Sequence, residues 1–278
     1  MFDSDMLQQA ALRIREKNAS PEYQKAIERF RGEMIRMEQL AAELEAKLPA
    51  IRALAEKETV RTEYASGSDL HRGYYCPSPV FDFVVGNTHR GRLLKRVTKA
   101  SNPSHEYGFS SDGRLLWCRY RNKNKVYDTE YLIHDGERVL GVQCFADGKL
   151  NAVTEEIIRD GLLTSYTQAQ ILWQNNRNTC HILNTEIYSY DENGLCSSQL
   201  HELMQPPGEI PANLRQFFQG AEAFLQQPVY RHDQFLFERS NGMLNGYQCQ
   251  GRFYQGCAKR SARPVFQING INLMDIKE

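Results

Sequence analysis

Seven histidines (His71, His89, His105, His134, His181, His201 and His232) and seven cysteines (Cys76, Cys118, Cys144, Cys180, Cys196, Cys249 and Cys257) make up the stock of soft metal-ligating side chains in this sequence. A metal centre usually takes two of its ligands from neighbouring positions. No H-x-H, H-x-x-x-H or C-x-x-C pair occurs, and Cys180-His181, as adjacent strand residues, would point to opposite faces. No metal site is expected. Nucleophilic or phosphate chemistry also lacks its frame. There is no G-x-S-x-G elbow, no G-x-x-x-x-G-K-[ST] loop and no G-x-G-x-x-G. No cofactor and no catalytic residue is therefore assigned. The carboxylate pairs Glu155-Glu156 and Asp191-Glu192 diverge along a strand or sit solvated at a turn, and acid–base work needs two carboxyls facing one cleft.

One basic and aromatic stretch remains. Arg90, Arg92, Lys95, Arg96 and Lys99 precede Arg114, Arg119, Arg121, Lys123 and Lys125, interleaved with Trp117, Tyr120 and Tyr127. Trp, Tyr and Arg dominate interface energetics, so Trp117, Arg119, Tyr120, Arg121 and Tyr127 are the candidate partner-binding residues. Strand parity puts Trp117, Arg119 and Arg121 on one face. Two other readings stay open: a solvated face with cation–π pairs, and contact of strands 90–127 with nucleic acid. The second is disfavoured by a balanced chain, 34 basic against 34 acidic residues.

The elements that must position these residues follow from turn chemistry. Asp112-Gly113, Asp135-Gly136, Asp147-Gly148, Asp160-Gly161 and Asn193-Gly194 each separate two apolar or aromatic runs. Such dipeptides tolerate the positive φ of tight hairpin turns, so the middle of the chain is predicted to be an antiparallel meander. Turn spacings of 12 and 13 residues predict strands of five or six. Further strands are expected at 80–85, 93–98, 229–238, 246–254 and around Asn269-Gly270.

The first sixty residues have a different period. A short helix is predicted over Leu7, Ala10, Ala11 and Ile14, and Ser20-Pro21 starts a second. Tyr23, Ile27, Phe30, Met34, Met37, Ala41, Leu44, Leu48, Ile51 and Ala55 alternate steps of four and three, the pattern of a seam. Ile27, Phe30, Met34, Met37, Leu44 and Leu48 are the candidate oligomerisation residues, with self-association through 21–57 set against packing on the chain's own sheet. Pro49 predicts a kink or a new helix start near Leu48. Residues 60–79, rich in Gly, Ser, Pro and Tyr, are expected to be a linker. A last helix is predicted over 211–226, with Leu214, Phe217, Phe218, Phe224 and Leu225 on one stripe.

Two hairpins, Tyr188-Ser189-Tyr190-Asp191-Glu192-Asn193-Gly194-Leu195 and Tyr107-Gly108-Phe109-Ser110-Ser111-Asp112-Gly113-Arg114-Leu115, resemble the YD repeats of bacterial Rhs-type proteins. The resemblance covers about a third of the chain, and the other three turns lack the tyrosines. It implies twisted-sheet architecture and points toward the immunity proteins of bacterial polymorphic toxin systems, which are cytosolic. No catalytic residue travels with it.

The fold class expected is α+β: a helical arm (1–59), a linker (60–79), and a large antiparallel β-meander domain (80–278) backed by one helix. A composition 41% hydrophobic and 10% aromatic suffices for a real core. Met1–Gln9 has no basic residue of a secretory n-region, no run reaches the ~20 apolar residues of a membrane span, and the odd, scattered cysteines read as reduced thiols. A cytoplasmic location is expected. Binding is favoured over catalysis, most sharply by an immunity protein that occludes a cognate toxin domain. The rivals are an enzyme or small-ligand protein with a pocket under a curled sheet, and a nucleic-acid binder.

Overall fold

In this computed structural model the described residues are 12, 16, 18–68, 71–78, 80, 90–98, 101–122, 125–174, 177–206 and 228–240, together with the backbone of 243–249, 252–255, 267–268 and 271–272. The expected helices over 7–14 and 211–226, and the strand at 80–85, lie at or almost wholly outside them.

The five Asp-Gly and Asn-Gly turns join consecutive antiparallel strands, as their chemistry dictates. Asp112-Gly113 links β3 (His105–Phe109) to β4 (Leu115–Asn122). Asp135-Gly136 links β5 (Lys125–Asp135) to β6 (Arg138–Phe145), and Asp147-Gly148 leads on to β7 (Leu150–Arg159). Asp160-Gly161 opens β8 (Leu162–Gln174), and Asn193-Gly194 joins β9 (Arg177–Asp191) to β10 (Gly194–Met204). All five glycines have positive φ, and at Asp160-Gly161 both residues do (52° and 75°), the backbone of a type I′ turn. Five or six residues per strand was an underestimate. These strands run to 15 residues, because residues flanking the apolar centres also join the ladder.

With β1 (Arg61–Ser66), β2 (Arg92–Leu93), β11 (Val229–Ser240), β12 (Met243–Cys249) and β13 (Arg252–Gln255), the meander is one 13-stranded sheet. Its order from β3 to β13 follows the chain, and β1 and β2 add at the β3 edge. Residues 61–66 are thus a strand paired with β3 rather than part of a linker: Thr62, Tyr64 and their neighbours find ladder partners from Arg61↔Phe109 to Ala65↔His105. β14 (Gln267–Ile268) and β15 (Ile271–Asn272) form a separate small hairpin.

The one long helix among the described residues, α1 (Pro21–Glu58), begins as its sequence predicts, with Ser20 Oγ accepting from the Tyr23 N–H at 3.2 Å and Pro21 in the first turn. It runs through Pro49 without a break. No coiled coil is evident among the described residues. Ile27, Phe30, Met34, Met37 and Leu44 are buried, and Leu48 half-buried, in a core shared with the chain's own sheet. A heptad-like stripe specifies an apolar face, and here the sheet covers it.

That cover is centred on a row of register partners running across eight strands, Trp117, Tyr131, Val142, Val153, Ala169, Leu183, Leu203 and Tyr230, with Leu140, Cys144, Ile171 and Cys180 in the same core. Phe30 stacks on His201 at one end of the row, and Arg36 bonds Glu155 at 2.5 Å near its middle. At the other end the Trp117 indole N–H donates to Thr59 Oγ1 at 2.9 Å, and Thr59 in turn caps the Ala55 carbonyl at 2.7 Å. Seven strand spacings span about 34 Å, whereas Phe30 to Thr59 spans about 44 Å of helix, so α1 crosses the sheet obliquely. Gly108 pairs with Trp117, and its missing side chain is what lets the indole lie on the backbone of β3.

Candidate functional site

Because strand side chains alternate, the residues between the apolar row positions point away from α1. On this second face lie Cys118 and Tyr120 of β4, Asp128 and Glu130 of β5, Gln143 of β6, Thr154 and Glu156 of β7, and Gln168 and Gln170 of β8. Residues 71–78, expected as part of a linker, strap across them. Gly73–Tyr75 is a single 3-10 turn that packs on β3: the Tyr74 N–H donates to Tyr107 Oη at 3.0 Å, and Tyr107 Oη donates to the Arg72 carbonyl at 3.1 Å.

Arg72, held at φ 56° just before that turn, drives its side chain into the sheet. Its guanidinium forks onto Glu130, Nε to Oε2 at 2.7 Å and Nη2 to Oε1 at 2.9 Å, reaches Thr154 Oγ1 at 3.0 Å, and bonds Glu156. Thr154 donates to Glu130 at 2.7 Å. Glu130 is 2% exposed. Burial opposes its charge, but Arg72 and His71 overcome this and hold the carboxyl well below the ordinary range. His71 Nε2 lies 3.0 Å from Glu130 Oε2, and its Nδ1 faces the Gln168 amide nitrogen at 3.4 Å. Farther along the strap, Ser78 donates to Glu186 at 2.6 Å and Arg90 donates to the Ser78 carbonyl at 2.9 Å; all three are fully buried.

Beside the Arg72–Glu130 pair the second face opens into a cleft of about 360 Å³. His71, Cys118 and Glu130 lie on its lining, with Asp128, Gln143, Asn151, Gln168 and Gln170 around them and Tyr120 and Tyr127 on the aromatic side. The two tyrosine rings meet edge to face at 5.9 Å, and Tyr127 is 53% exposed. Asp128 is 8% exposed, and burial raises its pKa; the Gln143 side chain and the Tyr120 backbone N–H bond it.

Two titratable groups of this arrangement are held in fixed protonation states. Glu130 is fixed as an ion by Arg72, so it does not exchange protons near neutral pH. The Cys118 thiol is pushed up by burial and stays protonated, the reverse of a nucleophile's environment. Cys118, Cys144 and Cys180 are buried free thiols. No cluster of three or more His, Cys, Asp or Glu side chains able to hold a metal ion occurs among the described residues. No helix among them is long and apolar enough to cross a membrane.

The five candidate partner-binding residues are split between the faces. Trp117 is 4% exposed beneath α1, so it is a core residue rather than a surface anchor. Arg119 lies over the Trp117 ring at 4.2 Å and pairs with Glu56 at 3.6 Å and Glu106 at 3.8 Å. Arg121 closes on Glu106 at 2.6 Å. Both arginines are therefore charge-matched within the chain. Tyr120 and Tyr127 alone of the five reach the cleft. His71, Arg72, Asp128 and Glu130 went unread as site residues. The signal for the two acids was the polar parity of β5 and β7, where Asp128-x-Glu130 and Thr154-x-Glu156 alternate with the apolar row.

No family model matches the chain, and no curated protein matches it. A crystal structure of a porin-like protein from Bacteroides uniformis ATCC 8492 is similar at 12% identity, covering 57% of this chain and 90% of its own, with a TM-score of 0.16. At that score the likeness carries no conclusion about topology or function.

Proposed function

We propose that the protein is a non-catalytic binding module that recognises another protein through the cleft side of its sheet. The observation that supports this is the asymmetry of the two faces. One is closed by α1, whereas the other offers a half-exposed tyrosine beside a polar recess. Such a rim anchors an interface of the usual size, about 800 Å² a side, with Tyr127 as its aromatic contact. The sharpest form of this reading is an immunity protein whose partner is a toxin domain, bound in the cytoplasm. Titration of the full chain with a candidate toxin domain drawn from the genes adjacent to its own tests it. Saturable binding is expected, weakened at least tenfold by Tyr127→Lys with the thermal melt unchanged (about 1.4 kcal/mol or more). Equal affinity of the variant overturns the reading.

A further inference from the structure

Asp128 is a buried carboxylate of the cleft that no lysine or arginine among the described residues pairs with. Arg72, the guanidinium bordering the recess, is shared between Glu130 and Glu156, one positive charge against two carboxylates. His71 is directed at Glu130 as well. Asp128 takes hydrogen bonds from the Gln143 amide and the Tyr120 backbone N–H, with His71 favouring its charge and Glu130 opposing it from across the recess, and it has no close ion pair among the described residues. A carboxylate this deeply placed is costly without a positive partner. The recess is thus left with an excess of negative charge, bounded by side-chain amides whose oxygens accept N–H groups and by two tyrosine rings whose faces attract cations. Neutral polar ligands would use the amides equally well but would leave the carboxylate uncompensated.

We propose that the cleft binds a guanidinium or primary ammonium group, presented by an arginine or lysine side chain of the partner, with Asp128 as its counter-ion and Tyr120 and Tyr127 beside its alkyl stem. This rests on the partner-binding reading above and adds the chemistry that the partner must present. The probes are N-acetyl-arginine amide and N-acetyl-lysine amide, titrated calorimetrically into the full chain at low salt. N-acetyl-norleucine amide and glucose are the neutral comparators. The cationic amides are expected to bind saturably, at least about tenfold more tightly than either comparator. Asp128→Asn, which keeps the shape and the hydrogen-bonding size, should remove that preference. Tyr127→Leu, away from the buried carboxylate, should weaken cation binding severalfold and guards against a folding defect in the first variant. Equal binding of arginine and norleucine amides, preference for glucose, or an undiminished preference in a folded Asp128→Asn variant each overturns the proposal. If the toxin domain binds and arginine amide does not, the cation assignment fails by itself. If arginine amide binds and the toxin domain does not, the partner reading fails and the site stands.

Discussion

Replacing Arg72 by Met retains the length of the buried stem and deletes the charge, leaving Glu130 at 2% exposure with the Thr154 hydroxyl as donor and His71 Nε2 close by at 3.0 Å. Removing one member of a buried ion pair costs about 3–5 kcal/mol, a large share of the roughly 5–15 kcal/mol by which domains are stable. At a urea slope of about 2–3 kcal/mol per molar, the midpoint should fall by about 1–2 M. Most of that loss is the stranded carboxylate, so Arg72→Met/Glu130→Gln should recover a substantial part of it. The cost should also depend on pH. In the native protein the Glu130 carboxyl titrates below its unfolded value of 4.5, so the unfolded chain binds more protons in acid. The stabilisation is complete above that value and is lost as pH falls through the folded pKa. The gap between native and Arg72→Met stability should therefore narrow from pH 7 toward pH 3. Urea titrations of the four proteins of the cycle, at both pH values, test this. A single-mutant cost under 1 kcal/mol, or additive costs at Arg72 and Glu130, would refute the claim that this pair pins the strap to the sheet.

Gly108→Ala should collide with the Trp117 indole, a rigid ring, and lose about 1–3 kcal/mol. In a Trp173→Phe background, which silences the exposed second tryptophan, the emission should shift to the red. Leu44→Ala should cost about 2–5 kcal/mol, with a urea midpoint independent of protein concentration, because its contacts are within the chain; a concentration-dependent midpoint would restore self-association. His201 is lowered to about 4 by burial, then by His232 and Arg29. Unfolded histidine near 6.5 therefore binds the extra proton, and stability should rise by about 1–2 kcal/mol from pH 4 to pH 6.5, allowing for solvent screening. His201→Phe should flatten that slope, and an imidazole resonance titrating at 6.5 in the folded protein would contradict it.

The turns were legible because their information is local: positive φ at Gly113, Gly136, Gly148, Gly161 and Gly194 follows from the dipeptide itself. Helix α1 was legible for the same reason, through its period and its Ser20-Pro21 start. What covers the stripe was not legible, since Ile27 to Leu48 would read identically against a second helix or a sheet. The site was hidden by sequence distance. Arg72 meets partners 58 and 84 positions away, and a stretch such as His71-Arg72-Gly73-Tyr74-Tyr75 carries turn chemistry but no mark of the carboxylates it covers. Parity misled at β4 because a face shared by Trp117 and Arg119 can be the one turned inward.

The row of register partners beneath α1 has a consequence for how the chain is made. Translation delivers the helix first, while the residues that shelter Ile27, Phe30, Met34 and Met37 arrive one hairpin at a time as far as Tyr230. At about 5–20 residues per second, on the order of ten to thirty seconds separate Glu58 from Tyr230 at the ribosome. Each hairpin zips with its predecessor on emergence, but the helix docks only when most of the row exists. Ribosome speed, or a holdase that occupies this stripe meanwhile, therefore governs how much nascent chain escapes aggregation.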